Sequence, residues 1–377
     1  MKKCIVIPDS FKGSLTSLEI CELCGDIIRR FYPECEVIAV PVADGGEGTV
    51  ECFVKALPGC EKVILDTTGP WGEPIRAVYG RMGDTAFIEM AAAAGYTLVG
   101  DRRDPGRTTT FGVGTMIRHA VESGVRNIVL GLGGSATNDG GCGCAAALGV
   151  RFYDAEGNSF IPVGNTLSRI ATIDAAECRE LMQGVSVTAM CDIDNPMFGE
   201  EGAAYVFAPQ KGADPTQVKE LDHQLRCLAD AISRSLGKQV ADLPGAGAAG
   251  AFGAGCAAFF NGVLKPGIEV VLDTVGFDAM LDGTDMVFTG EGRIDGQSLR
   301  GKVVIGVARR AKKKGVPVTA VVGDVQDDAY GAYDAGVTAI FSINRLAIPF
   351  PEAKLRGRTD FAHTFEDIMR YTKAFTK

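Results

Sequence analysis

Several short polar segments follow directly after apolar runs, at positions where their side chains could bind a phosphorylated ligand. The apolar runs Cys4–Ile7, Val37–Val40 and Met286–Thr289 are typical of buried strands, and parallel strands end at one edge of a sheet. Carboxylates at that edge suit a magnesium ion, and lysine or arginine offsets the charge of phosphate oxygens. The polar residues are Asp9, Ser10 and Lys12 after the first run, Asp44 and Glu47 after the second, and Glu291, Arg293 and Asp295 after the third.

A fourth polar segment, residues 191–195, follows the strand-like run Val185–Met190. Its alternating Asp192 and Asp194 could supply a general base and a metal ligand. An Asx turn ahead of Pro196 is the structural alternative. Three threonines at 108–110 precede a predicted helix. They either cap this helix or offer their hydroxyl groups to a ligand.

The segment 131–136 has the glycine spacing of a dinucleotide-binding loop and follows a predicted strand at Asn127–Leu130. The stretch from Gly140 to Leu148 is short for the usual crossover helix. Polar Thr137, Asn138 and Asp139 also occupy the place where that helix should begin. A dinucleotide site is therefore the alternative, and it would predict an NAD(P)-dependent oxidoreductase.

Two other glycine motifs resemble nucleotide loops in part. The segment from Gly296 to Lys302 almost matches a Walker A loop, but Val303 stands where the magnesium-binding hydroxyl belongs. Lys302 begins a predicted helix and could still bind a phosphate there. The glycine-rich segment 244–255 follows no strand, so close helix packing and a phosphate loop are both open.

The elements that must position these loops are helices and strands in alternation. A capping box at Thr16 and Glu19 begins an amphipathic helix between the first two strands, which predicts a parallel, right-handed unit. Strand candidates between 62 and 90 predict an antiparallel meander. We therefore expect an α/β protein with parallel sheets and two α/β domains. The predicted domains are residues 1–62 plus 283–377, and an inserted domain at 63–282.

Composition narrows the function classes. The net charge of −9 argues against nucleic acid or an anionic membrane as the partner, and leaves small molecules. The sequence has neither a secretory start nor an apolar run long enough to span a membrane, so a cytoplasmic protein is expected. The 12 cysteines lack metal-site spacing, and Cys21 and Cys24 are predicted to be buried in a helix.

Seven motifs occur in order along the chain: PDSFKGSLTS, PVADGGEGT, GLGGSATNDGG, CDIDNP, PQKGA, PGAGAAG and TGEGRIDGQSLRGK. Taken together, they resemble those of the bacterial glycerate kinases of the type that phosphorylates D-glycerate. The resemblance runs from Pro8 to Lys302 and beyond.

The resemblance implies two α/β domains, one inserted in the other and related to flavodoxin-like and restriction-enzyme-like folds, with the active site in the cleft between them. It implies transfer of the γ-phosphoryl group of ATP to a hydroxyl of D-glycerate with Mg²⁺, giving 2-phosphoglycerate. Residue spacing does not itself show which hydroxyl reacts or which stereoisomer binds. The oligomeric state is open, a homo-oligomer included.

The resemblance also implies roles for individual residues. Lys12 and Lys302 would neutralise phosphates, Arg293 would bind a phosphate or the glycerate carboxylate, and Asp192 or Asp194 would be the base. Asp44, Glu47 or Glu291 would hold magnesium. The remaining predicted binding residues are Asp9, Ser10, Gly45, Gly46, Gly133, Gly134, Ser135, Thr137, Asn138, Asp139, Asn195, Gly290, Asp295 and Gln297.

Overall fold

A computed structural model describes residues 1–43 and 45–375 of the chain. The strands are β1 Lys3–Pro8, β2 Glu36–Ala39, β3 Glu61–Thr68, β4 Pro74–Met82, β5 Thr85–Glu89, β6 Asn127–Gly131, β7 Arg151–Tyr153, β8 Ser159–Phe160, β9 Thr172–Asp174, β10 Ser186–Met190, β11 Val263–Lys265, β12 Met286–Gly290, β13 Arg293–Ile294, β14 Val318–Val322, β15 Asp324–Val325 and β16 Val337–Ser342.

The helices alternate with these strands along most of the chain. They are α1 Ser17–Phe31, α2 Thr49–Ala56, α3 Ala91–Ala94, α4 Tyr96–Val99, α5 Phe111–Glu122, α6 Cys142–Ala147, α7 Ala176–Leu181, α8 Ala203–Phe207, α9 Pro215–Leu236, α10 Ala248–Phe260, α11 Gly267–Val275, α12 Phe277–Met280, α13 Val303–Lys313, α14 Gly331–Ala335 and α15 Phe350–Phe375. None of the helices in the described ranges has the length and apolar character needed to cross a membrane.

Contacts within the chain divide it into two compact units. Unit 1 comprises Met1–Asp44, Lys55–Pro58 and Ile268–Lys377, and unit 2 comprises Gly45–Val54 and Gly59–Gly267. The boundaries predicted after residues 62 and 282 differ from these, and the assignment of domains stays a prediction.

Unit 1 is built on a five-stranded parallel sheet with the order β16-β14-β12-β1-β2. Pro8 at the end of β1 is in register with Gly290 at the end of β12. The polar segments that follow these two strands therefore start side by side, as predicted.

Helix α1 covers this sheet because its sequence has both a start signal and an apolar face. The Thr16 hydroxyl oxygen accepts a hydrogen bond from the Glu19 amide, and the Glu19 carboxylate accepts one from the Thr16 amide. This pair of hydrogen bonds confirms the capping box. Ile20, Cys24 and Ile28 are buried on the face that meets the sheet. The burial of Cys21 and Cys24 is also confirmed.

Unit 2 is built on a six-stranded sheet with the order β11-β10-β6-β5-β4-β3. Strands β3, β4 and β5 pair antiparallel, which confirms the meander, whereas β5, β6, β10 and β11 pair parallel. A small antiparallel sheet, β8-β7-β9, adds to this unit. The predicted mixed α/β class with parallel sheets is confirmed.

Candidate functional site

In unit 1, the candidate site begins where β1 and β12 end together. The Asp9 amide donates a hydrogen bond of 2.8 Å to the carbonyl of Gly290. A Cβ added at Gly290 would overlap the carbonyl oxygen of Val321 in the neighbouring strand. Glycine is therefore required at 290 because the backbones of β12 and β14 lie too close for a side chain. The predicted binding residues Asp9 and Gly290 do come together.

Glu291 is the central charged group of this edge. Its side chain is buried, and its Oε1 atom has no hydrogen-bond partner among the residues described. Burial raises the pKa of Glu291 to about 7. The hydrogen bond of the Ser298 hydroxyl and the charge of the Lys302 ammonium act in the opposite direction and lower that pKa. Asp9 and Asp295 add to the rise. Five of the polar groups at this edge thus interact at one place, around a carboxyl that is easily protonated.

The segment after β12 is held in shape by its own side chains. Asp295 Oδ1 accepts 3.0 Å hydrogen bonds from the amides of Gln297 and Ser298. Arg293 lies in β13, exposed, with its Nε 3.8 Å from an Asp324 carboxylate oxygen. Lys302 is the N-cap residue of α13. Asp295 therefore shapes the turn, and Arg293 and Lys302 supply positive charge near it.

The segment after β1 turns sharply. The Ser10 amide donates to Asp9 Oδ1 at 2.6 Å, and Phe11 pairs with Leu15 through two backbone hydrogen bonds. The Phe11 ring packs edge-on against Phe361 at 5.7 Å between centroids, which anchors the turn. Lys12 is exposed at the tip of this turn.

In unit 2, the glycine loop after β6 packs tightly against the chain at Gly45 and Gly46. The Gly133 amide donates to the Gly45 carbonyl at 3.0 Å. A Cβ at Gly131 would overlap Gly45, and one at Gly133 would lie 2.6 Å from the Cα of Gly46. These glycines serve the approach of two backbone segments, and the following α6 has only six residues. The oxidoreductase alternative therefore lacks support, because a dinucleotide loop needs that space and a longer helix.

Glu89 holds the segment that contains Glu47, and it is not among the site residues that the sequence predicts. The Glu89 carboxylate accepts hydrogen bonds from the amides of Gly48 and Val50 at the start of α2. Burial raises the pKa of Glu89. Glu47 itself is exposed. The predicted ligand Asp44 lies outside the described residues. A carboxylate at the very end of β5 was the available signal for Glu89.

Asp139 is fully buried and anchors the loop between β6 and α6, residues 132–141, which we call the polar loop. Its carboxylate accepts hydrogen bonds from the amide and hydroxyl of Thr110 and from the amides of Gly141 and Gly143. Burial raises its pKa, and these hydrogen bonds oppose the rise. The carboxylate thereby links the start of α5 to the start of α6. This arrangement favours a positioning role for Asp139 over direct ligand contact.

Thr137 and Asn138 present buried polar atoms with no hydrogen-bond partner within the described chain. These atoms are Thr137 Oγ1 and both the oxygen and nitrogen of the Asn138 amide. Such groups cost free energy unless a ligand or a water molecule completes them. Gly134, in contrast, is exposed, with a φ of 74°.

The glycine-rich segment 244–255 packs against the same loop. Ala249, Gly250 and Ala251 adopt left-handed backbone angles with φ of 56°, 67° and 67°. A Cβ at Gly250 would overlap the Thr137 carbonyl, and the Gly140 amide donates to the Gly250 carbonyl at 3.0 Å. Left-handed alanines are strained by roughly 1–2 kcal/mol each. The close-packing alternative thus describes these glycines, and the strain lies beside Thr137 and Asn138.

The segment after β10 exposes both of its aspartates. Asp192 Oδ1 accepts a hydrogen bond of 2.7 Å from the Gly267 amide at the start of α11. Asn195 Nδ2 donates to the Glu201 carbonyl at 2.8 Å, which fixes the end of the segment. Asp192 is therefore oriented by a backbone contact, and Asp194 is accessible to solvent.

Lys211, in the PQKGA motif, is a further buried charge, and it is not among the site residues that the sequence predicts. The side chain is 4% exposed, and Nζ donates 2.7 Å hydrogen bonds to Ser135 Oγ and the Thr137 carbonyl. Burial lowers the pKa of Lys211 to about 7, and Asp139 opposes the fall.

A preformed metal centre is not evident in the ranges that the structure covers, since no group of three His, Cys, Asp or Glu residues there could hold an ion. Magnesium in phosphoryl-transfer sites needs only one or two protein carboxylates, because phosphate oxygens and water complete its shell. Glu291 fits such a role, because one of its carboxylate oxygens has no hydrogen-bond partner in the described ranges.

Three kinds of comparison with known proteins identify the same family over nearly the full length of the chain. The model of the "Glycerate kinase family" matches residues 4–373. A glycerate kinase of Bacillus cereus is 44% identical over 369 residues, covering 97% of each chain. A glycerate 2-kinase of Escherichia coli is 44% identical over 344 residues, covering 90% of each chain. A crystal structure of a provisionally assigned glycerate kinase 2 from Salmonella typhimurium superimposes with a TM-score of 0.87 at 40% identity, covering 99% of this chain and 98% of that one.

Proposed function

Because the chain belongs to the glycerate kinase family, we propose that it transfers the γ-phosphoryl group of ATP to a hydroxyl group of D-glycerate. The observation that carries the proposal is the family match across residues 4–373, which includes every polar loop described above. The relative from Escherichia coli is named a glycerate 2-kinase, so 2-phosphoglycerate is the proposed product.

The unit 1 cluster suits the nucleotide phosphates. Lys12, Arg293 and Lys302 bring three cations to the ends of β1 and β12, and Lys302 adds the N-terminus of α13. Positive charge placed in this way stabilises the transferred phosphoryl group, which is the main task of a phosphoryl-transfer site. We assign Asp9, Ser10, Gly290, Asp295 and Gln297 to binding at the same edge.

Magnesium is the proposed metal, and the candidate ligands are Glu291, Glu47 and Asp44. When bound, it would supply positive charge to the phosphate oxygens of ATP. Glu291 is the strongest of the three candidates because one of its carboxylate oxygens is buried and has no hydrogen-bond partner among the described residues. Its raised pKa means that binding of a cation would also favour loss of its proton.

In unit 2, Asp192 or Asp194 is the proposed base for the acceptor hydroxyl. Asp192 is held by the Gly267 amide, so its second oxygen has a defined direction. Such a fixed carboxylate can take the hydroxyl proton as the phosphorus–oxygen bond forms. The remaining proposed binding positions on this unit are Gly45, Gly46, Gly133, Gly134, Ser135, Thr137, Asn138, Asp139 and Asn195.

The decisive experiment is phosphorus NMR of the product formed from ATP, magnesium and D-glycerate. We expect ADP and a single phosphomonoester whose proton coupling identifies attachment at C2. Attachment at C3 would leave the kinase activity intact and refute the regiochemistry. Absence of any phosphoglycerate at high enzyme concentration would refute the proposed function.

The residue assignments are tested by three variants under the same assay. Lys12→Ala and Asp192→Asn should each lower kcat by at least about 100-fold, because general bases and charge-stabilising groups contribute at that level. Lys313→Ala, an exposed lysine at the far end of α13, is the matched control and should behave as the wild type. Wild-type turnover in both Lys12→Ala and Asp192→Asn would overturn the assignments.

A further inference from the structure

Lys211 ends a short 3-10 turn, Pro209–Lys211, and points into the interior of unit 2. A lysine ammonium is costly to bury, so its contacts must compensate for lost water. Its Nζ atom has two partners at 2.7 Å, the Ser135 hydroxyl and the Thr137 carbonyl. Both partners belong to the polar loop after β6.

The direction of these hydrogen bonds follows from the chemistry of the ammonium group. A charged lysine has only donors, so Ser135 Oγ must accept from it. The hydroxyl proton of Ser135 then has to point elsewhere. Within the residues that the structure describes, no acceptor for that proton is found, and the Ser135 side chain is partly exposed.

We propose that Lys211 is a positioning residue that fixes Ser135 as a hydrogen-bond donor to an anionic oxygen of a substrate, either a carboxylate or a phosphoryl oxygen. The inference rests on the proposed function, since an anionic substrate must be present. The buried positive charge of Lys211 also favours negative charge at the loop, in an environment that screens it weakly.

A second lysine of unit 2 provides a matched control. Lys238 Nζ donates to the carbonyls of Ala257 and Ala258 and to Asn261 Oδ1 at the end of α10. Burial lowers its pKa as well. Lys238 therefore makes a comparable set of hydrogen bonds, but none of those found in the described part of the chain reaches a hydroxyl of the polar loop.

The test compares kcat and KM, with glycerate and ATP varied in turn, for Ser135→Ala, Lys211→Met, the double variant and Lys238→Met. We expect Ser135→Ala and Lys211→Met each to lower kcat/KM by roughly 10-fold or more, typical of a lost charge-assisted hydrogen bond. The double variant should lose no more kcat/KM than the single variant with the larger loss. Lys238→Met should lower the melting temperature and keep wild-type kcat/KM.

The two arms separate the source of the anionic oxygen. A loss confined to kcat/KM for glycerate identifies the carboxylate of the acceptor. A loss confined to kcat/KM for ATP identifies a phosphoryl oxygen of the nucleotide. Ser135→Thr keeps the hydroxyl and should restore at least half of the wild-type kcat/KM, which a purely structural role would not require.

Two results would overturn the inference in an enzyme that phosphorylates glycerate. One is unchanged kcat/KM in Ser135→Ala, which remains informative even if Lys211→Met does not fold. The other is a double variant whose loss equals the product of the two single losses. An inactive wild-type protein would instead refute the proposed function.

Discussion

Two buried ionisable residues of this protein, Glu291 and Lys211, have pKa values near neutrality. In both, burial disfavours the charged form, so the acid becomes weaker and the ammonium becomes a stronger acid. Glu291 lies in the polar segment that follows β12, and Lys211 contacts the polar loop that follows β6. Such shifted groups concentrate at functional sites.

Glu291 gives a stability prediction with a defined sign. Its pKa is higher in the folded state than the ordinary value of 4.5, so the protonated form stabilises the fold. This stability is complete below pH 4.5 and is lost as the pH rises to about 7. Glu291→Gln should therefore exceed the wild type at pH 8 by up to about 3 kcal/mol in free energy of unfolding. Urea titrations at pH 5 and pH 8 measure this, and an equal difference at both pH values would contradict it.

Removing the charge of Asp139 should lower the free energy of unfolding, because the Asp139 carboxylate accepts hydrogen bonds from four donors. Asp139→Asn places an amide NH₂ among donors and leaves at least one of them unpaired. The free energy of unfolding should fall by about 2 kcal/mol or more. Chemical denaturation against the exposed substitution Asp230→Asn, expected within about 0.5 kcal/mol of wild type, gives the comparison. Equal stabilities would remove Asp139 as the anchor of this loop.

At the level of elements, strong local signals were sufficient to predict structure. The capping box at Thr16 and the predicted helix start at Lys302 agree with the structure, in which α1 begins at Ser17 and α13 at Val303. The left-handed turn at 249–251 could not be predicted, because alanine normally favours right-handed angles. Tertiary packing against Thr137 imposes it.

The candidate site was also predictable in part. Polar residues at strand ends, such as Asp9 and Glu291, are predicted because ligands bind at the carboxyl ends of parallel strands. Glu89 and Lys211 do not, because each acts on a loop remote in sequence, through burial that only the fold creates. Family motifs supplied the order of the loops but no contact between them.

The left-handed turn makes a prediction for α10. Ala249→Gly should raise the free energy of unfolding by roughly 1 kcal/mol, because glycine adopts positive φ without strain. Ala257→Gly, at a similarly exposed position in the regular part of α10, should lower it by roughly 1 kcal/mol. Thermal melting of both variants is the measurement. A loss of stability in Ala249→Gly would show that the positive φ is not strained.

At the scale of the whole molecule, unit 1 joins segments from both ends of the sequence. Its sheet places β1 between β2 and β12, and Ile7 and Thr289 are hydrogen-bonded neighbours 282 residues apart. Neither end can complete this sheet alone, so the cooperative unit must include both.

Hydrogen exchange tests this cooperation in the intact protein. Peptides from β1 and β12 should lose amide protection at the same concentration of urea, since opening of one strand exposes the edge of the other. Mass spectrometry at increasing urea concentrations gives the midpoints. Exchange of β1 at a clearly lower urea concentration than β12 would contradict the prediction.

The position of β1 also has a consequence during synthesis. At roughly 5–20 residues per second, a ribosome needs roughly 15 to 60 s to travel from β1 to β12. Throughout that interval the apolar strand Lys3–Pro8 has one pairing edge open, although its helix α1 is already made. Until β12 is made, that open edge can pair with another chain, so the nascent chain is expected to be more prone to aggregation than the folded protein.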